Sequence, residues 1–157
     1  MRIYLPAALS DLSGFPTSTL APTVAFAVTP ELAAALPDED EEAVEFSAFL
    51  AAADTAVEHL AEALSRGEEI VPRRVVITAE LSPSSVRPDR GHGHPGAVVP
   101  PEVAWSDVVA AHLDEPDAAP EVEEAARGDE AAAERLAERD LLWYDPSELA
   151  RLVADLS

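Results

Sequence analysis

Apolar residues spaced 4, 3, 4, 3 and 4 apart run from Phe46 through Leu50, Ala53, Val57 and Leu60 to Leu64. Only an α-helix gathers such positions into one stripe, and Phe49, Ala56 and Ala63 widen it. Glu45, Asp54, Glu58 and Glu62 fall off the stripe, and Gly67 is placed to stop the helix. At the other end, Pro37-Asp38-Glu39-Asp40-Glu41-Glu42 offers Asp38 as the cap and Glu41 three residues later, the spacing of a capping box. The remaining acids of that run suit the positive end of the helix dipole. A helix of this length with a single apolar stripe has to lie on something, and the rest of the chain supplies strands.

Residues 2–5 alternate, Ile3 and Leu5 against Arg2 and Tyr4, and read as a strand ended by Pro6. Residues 7–13 have room for one or two helical turns. A second strand spans 23–28, followed by Thr29 as cap and Pro30 at the first helical position, with Leu32 and Leu36 facing inward. Residues 73–81 form a third strand, whose Val75-Val76-Ile77 centre predicts burial on both faces and an interior place in the sheet. Residues 82–96 predict a long mobile loop. A short strand at 97–99, a helical turn near 101–107 and a strand at 108–113, with Val109, Ala111 and Leu113 inward, come next.

Residues 117–139 predict an exposed acidic helical segment split at Gly128, with Val122 and Leu136 its only large apolar groups. Leu141-Leu142-Trp143-Tyr144 reads as the last strand. Asp145-Pro146-Ser147-Glu148 then caps a final helix whose inner face is Leu149, Leu152, Val153 and Leu156. The expectation is a single α+β domain over residues 1–157, about five strands in a sheet with helices packed on it, the strand order left open. The core is economical: the chain has 157 residues, and alanine supplies 31 of them.

Charge narrows the possible partners. The formal net charge is −21, so direct binding to nucleic acid and to anionic membranes is disfavoured. The acids cluster, eleven against Arg66 over residues 38–69 and thirteen against Arg127, Arg135 and Arg139 over 114–148. With no cysteine, there is neither a disulfide nor a thiolate site, and with no lysine there is no Schiff-base chemistry. No apolar stretch is long enough to cross a membrane, the first residues do not read as a secretory signal, and the cytoplasm is the expected location.

Four segments together, Met1-Arg2-Ile3-Tyr4-Leu5-Pro6, Ala25-Phe26-Ala27-Val28-Thr29-Pro30, Arg73-Arg74-Val75-Val76 and Leu141-Leu142-Trp143-Tyr144, resemble a family of short actinobacterial proteins, a domain of unknown function. The resemblance runs the whole length. It implies a cytoplasmic bacterial protein and assigns no chemistry, cofactor or site residue.

Among catalytic signatures, the nucleophile elbow, the dinucleotide-binding glycines and the phosphate-binding P-loop are all missing. The chemically suggestive segment is Arg90-Gly91-His92-Gly93-His94-Pro95-Gly96, where His92 and His94 have the spacing to share a metal, with Asp89 or His112 as further candidate ligands. Carboxylates are too numerous for any pair to stand out as acid and base. Three readings follow. The leading one is a non-enzymatic protein-interaction or regulatory module without a cofactor, whose acidic surface, including Glu121, Glu123 and Glu124, docks on a basic protein partner. The alternatives are a metal-binding protein or metalloenzyme using His92 and His94, and a homodimeric structural protein.

Overall fold

The structure, a computed structural model, describes residues 1–156; the side chain of Leu156, expected on the inner face of the last helix, lies outside the described set. Seven antiparallel strands form one sheet among the described residues, more than the about five expected, with β4 the one strand where a loop was expected: β1 (Arg2–Ala7), β2 (Ala25–Ala27), β3 (Val75–Glu80), β4 (Arg87–Pro88), β5 (Ala97–Val99), β6 (Val108–Leu113) and β7 (Leu142–Tyr144). Their order across the sheet is β4-β5-β2-β1-β3-β6-β7. The helices are α1 (Leu9–Leu12), α2 (Pro30–Ala35), α3 (Glu41–Ser65), α4 (Ala119–Ala126), α5 (Glu130–Ala137) and α6 (Pro146–Leu156). The fold is therefore α+β.

Each face of the sheet carries its own core. Ile3, Leu5, Val75, Ile77, Ala111 and Leu113 point to one side, where Leu12, Trp105 and Leu149 cover them. Tyr4, Phe26 and Val76 point to the other, under Leu32 of α2 and Val44, Ala48, Ala52 and Ala53 of α3. A third cluster joins Leu60 to Ala118, Val122, Ala126 and Leu136, so the C-terminal half of α3 rests on α4 and α5. The acidic segment thus buries Val122 and Leu136 on its inner side and exposes its charged side. As expected, β3 lies inside the sheet, between β1 and β6.

Several expectations need correction. Pro6 does not end β1; Pro6 and Ala7 pair with Val76 and Val75, and proline is tolerated because β1 continues past the end of β2 and is there an edge. The cap of α3 is Asp40, whose Oδ1 accepts from the Ala43 N–H at 2.8 Å, rather than Asp38. The apolar stripe holds at Ala53, Ala56 and Leu60, which are buried, but is misplaced at its N-terminal end: Phe46 is 54% and Leu50 37% exposed, while Ala48 and Ala52, off the stripe, are fully buried. Small side chains let the helix axis approach the sheet closely, so the alanine face wins the contact there and the larger residues turn outward.

The register of β6 shifts once. Thr78 pairs with Ala110, but Ala79 pairs with Val108, leaving Val109 unpaired as a bulge. Val108, not Val109, therefore enters the first core beside Ala111 and Leu113. The stretch 82–96 is also more regular than a loop. It holds a 3₁₀ turn at Pro83–Ser85 and the strand β4, which pairs with β5. Gly96 ties it to the sheet: its carbonyl accepts from the Ala27 N–H at 2.9 Å, and a Cβ there would lie 3.0 Å from the Ala27 carbonyl oxygen and 3.1 Å from Leu32.

Candidate functional site

Helix α3 covers β1, β2 and the near side of β3, and leaves the β6–β7 end of that face open. The result is a groove of about 810 Å³ between the N-terminal half of α3, the sheet and the segment joining α5 to β7. Register explains its floor. Tyr4 pairs with Thr78, Thr78 with Ala110, Val76 with His112, and His112 with Trp143, so these side chains share one face in two adjacent rows. The bulge adds Val109 to the same lining.

The walls are aromatic. Phe46 stacks on Phe49 with centroids 6.1 Å apart, and Phe49 meets the edges of Tyr4 at 6.0 Å and His112 at 4.9 Å. Trp143 stands at the rim, 58% exposed. Two polar atoms at the floor, Thr78 Oγ1 and His112 Nδ1, are buried without a hydrogen-bond partner among the described residues. Such atoms are costly, about 1–3 kcal/mol each, when nothing satisfies them. Burial holds the His112 imidazole below its ordinary range, favouring the neutral ring. Burial, reinforced by the Glu45 carboxylate, raises the Tyr4 phenol.

The charged rim is uneven. Arg2 is engaged by Glu80, with Nε 2.8 Å from Oε1, and Arg139 by Glu121, with Nε 2.7 Å from Oε2. Glu42, Glu45 and Asp140 line the same groove and, among the described residues, hold no ion pair or hydrogen bond to a side chain. The groove therefore combines apolar walls, two unsatisfied polar atoms and three uncompensated carboxylates.

The acidic residues expected to bind a partner lie elsewhere, on α4, and each is already engaged. Glu121 takes Arg139, Glu123 takes Arg127 at 3.4 Å and Glu124 takes Arg135 at 3.3 Å. The hydrogen bond from Arg139 holds the Glu121 carboxyl below the usual carboxylate range. His92 and His94 flank Phe26, both edge to face, with centroids 5.4 and 5.3 Å away. His94 Nδ1 accepts from the Gly96 N–H at 3.0 Å, which leaves Nε2 as its free nitrogen. Burial, aided by neighbouring His92, lowers the His94 pKa. Among the described residues, no group of three or more His, Asp or Glu is arranged to hold a metal ion. His112, considered as a further ligand, sits in the groove against Phe49.

The groove residues were largely missed by sequence reasoning. Tyr4, Thr78 and His112 look like ordinary strand positions until the strand order is known. Phe46, Phe49 and Leu50 were the available signal, three large apolar groups beside a run of alanines. The model of a family of unknown function, DUF6912, matches residues 1–153. No curated protein and no solved structure matches the chain.

Proposed function

We propose a function for this chain, which belongs to the family of unknown function DUF6912, from its open groove: it is a non-enzymatic interaction module that receives a basic segment of a protein partner between α3 and the β6–β7 end of the sheet. The carrying observation is the meeting of exposed Phe46, Leu50 and Trp143 with the unpaired carboxylates of Glu42, Glu45 and Asp140 around one depression. Exposed apolar patches of this kind mark interaction surfaces, and tryptophan and tyrosine dominate binding energy where they occur. The acidic rim, within a chain of net charge −21, favours a cationic partner and gives the encounter a salt dependence. Among the described residues, Thr78 and His112 are hydrogen-bonded neither to each other nor to a carboxylate, and the floor shows no relay of the kind that activates a nucleophile. This favours recognition over catalysis.

The test is a titration of the partner recovered by affinity capture, against the full chain and its Trp143→Ala and Glu42→Gln/Glu45→Gln variants. Each variant should weaken binding by about tenfold or more, and added salt should weaken the native complex. A partner that binds all three proteins equally, with no response to salt, would remove the reading.

A further inference from the structure

Strand β7 ends the sheet, and its outer side makes no backbone hydrogen bond among the described residues. Free edges are rare unless short, charged or covered. Here the edge is three residues long, and a cleft opens on each side of it. Trp143, opposite His112, faces the groove. Leu142, which alternates to the other face, lines a second cleft of about 330 Å³ with Glu115, Arg139 and Asp140. Leu142 is 38% exposed, so both of these apolar side chains flanking the edge are open to solvent.

Resting on the groove as a protein-docking site, we infer that the partner's segment is extended and adds to β7 as a further antiparallel or parallel strand. An added strand sends successive side chains to opposite faces, one into the groove beside Trp143 and the next into the cleft beside Leu142. Its backbone would satisfy the outer amides and carbonyls of β7. Carboxylates flank both paths, Glu42, Glu45 and Asp140 on one side and Glu115 and Asp140 on the other. The fitting segment therefore alternates or mixes arginine or lysine with apolar residues. Charge also chooses between occupants. A second copy of this chain would bring another −21 charge to the same edge, whereas a basic segment neutralises it.

The probe is a displayed library of random linear peptides panned on the full chain, followed by backbone N-methylation of the best binder, one residue at a time. N-methylation removes a donor and leaves every side chain in place. The expected result is a basic, apolar-containing consensus whose affinity falls about tenfold on methylation at alternate positions and little at those between. Amide hydrogen exchange at residues 142–144 should slow on binding. A peptide that competes at Trp143 but tolerates methylation everywhere, or binds as a helix, overturns strand addition and leaves the docking groove standing. A library that yields no binder sensitive to Trp143→Ala, or a self-association of the chain that protects 142–144, overturns strand addition by a partner.

Discussion

Arg74 and Asp114 meet as a buried, two-pronged ion pair, Nη2 2.8 Å from Oδ1 and Nε 2.8 Å from Oδ2. Their side chains are only 4% and 1% exposed. Asp114 Oδ2 also accepts from the Arg74 backbone N–H at 2.9 Å, Arg73 Nε donates to the Asp114 carbonyl at 2.6 Å, and Arg74 Nη2 donates to the Arg139 carbonyl at 3.3 Å. The pair thus fastens the entry to β3, the exit from β6 and the segment that forms one wall of the groove. Removing one partner strands the other charge in the interior, so Asp114→Ala or Arg74→Ala is expected to cost about 3–5 kcal/mol in urea unfolding. Arg74→Met combined with Asp114→Leu should cost much less than either single change. Single variants that lose under about 1 kcal/mol would mean that water already screens the pair.

His112 should make stability depend on pH. Burial lowers its pKa in the folded chain below the ordinary 6.5. Above that value the ring is neutral folded or unfolded, and its contribution is fully present. As pH falls through about 6.5, the unfolded chain takes up a proton that the folded chain resists, so stability drops until the lower, folded pKa is reached. His94 shifts in the same direction, and the carboxylates of Glu42, Glu45 and Asp140 share the groove with His112, so the informative quantity is a difference. Native protein should lose more stability than His112→Gln between about pH 7.5 and about pH 5.5. Parallel losses would mean that the ring is protonated as easily in the fold as outside it.

Helix α3 shows where sequence reasoning succeeded and where it stopped. Its existence, its end at Gly67 and its place beside the sheet were legible from the 3.6-residue period. Gly67 adopts φ 76°, and the Gly67 and Glu68 N–H groups close the last turn on the carbonyls of Leu64 and Ala63. Which face turned inward was legible at Ala53, Ala56 and Leu60 but not at the N-terminal end, because a pattern of large apolar residues cannot see that alanines allow a closer approach. The groove was hidden for the same reason, and its floor depends on a strand order and a bulge at Val109 that no local pattern encodes. A consequence is measurable. Ala48→Leu should overpack the contact with the sheet and cost about 1–3 kcal/mol. Exposed Leu50→Ala should stay within about 1 kcal/mol. The reverse order would restore the Phe46–Leu64 stripe as the buried face.

The two helix starts read from aspartate, proline and glutamate had different outcomes, and the difference is local. At α6, Glu148 Oε1 accepts from the Asp145 N–H at 3.0 Å, as the spacing predicts, and Asp145 Oδ2 caps the amide one residue earlier, accepting from the Ser147 N–H at 2.9 Å. Before α3, aspartates stand at both 38 and 40, and the helix starts at Glu41 with Asp40 as its cap. Asp40→Ala should therefore cost about 0.5–2 kcal/mol, measured by thermal or urea unfolding, and Asp38→Ala close to nothing. Equal effects would place the helix start two residues earlier.

The two tryptophans divide the molecule's readouts. Trp105 is 6% exposed and packs edge-on against Phe15 with centroids 5.1 Å apart, whereas Trp143 is 58% exposed at the rim of the groove. A Trp105→Phe protein keeps Trp143 as its sole indole, and a Trp143→Phe protein keeps Trp105. The first should emit at longer wavelength and be readily quenched by acrylamide, a neutral quencher that the acidic rim does not repel, and the second should be shielded. Trp143→Ala should change stability by no more than about 0.5 kcal/mol, since a surface side chain is being removed. If the groove is the docking site, binding of the partner should then shift the Trp143 emission to shorter wavelength and protect it from the quencher, with Trp105 unmoved. A bound complex in which Trp143 remains as open as before would place the partner elsewhere on the acidic surface, with the paired glutamates of α4 the next face to test.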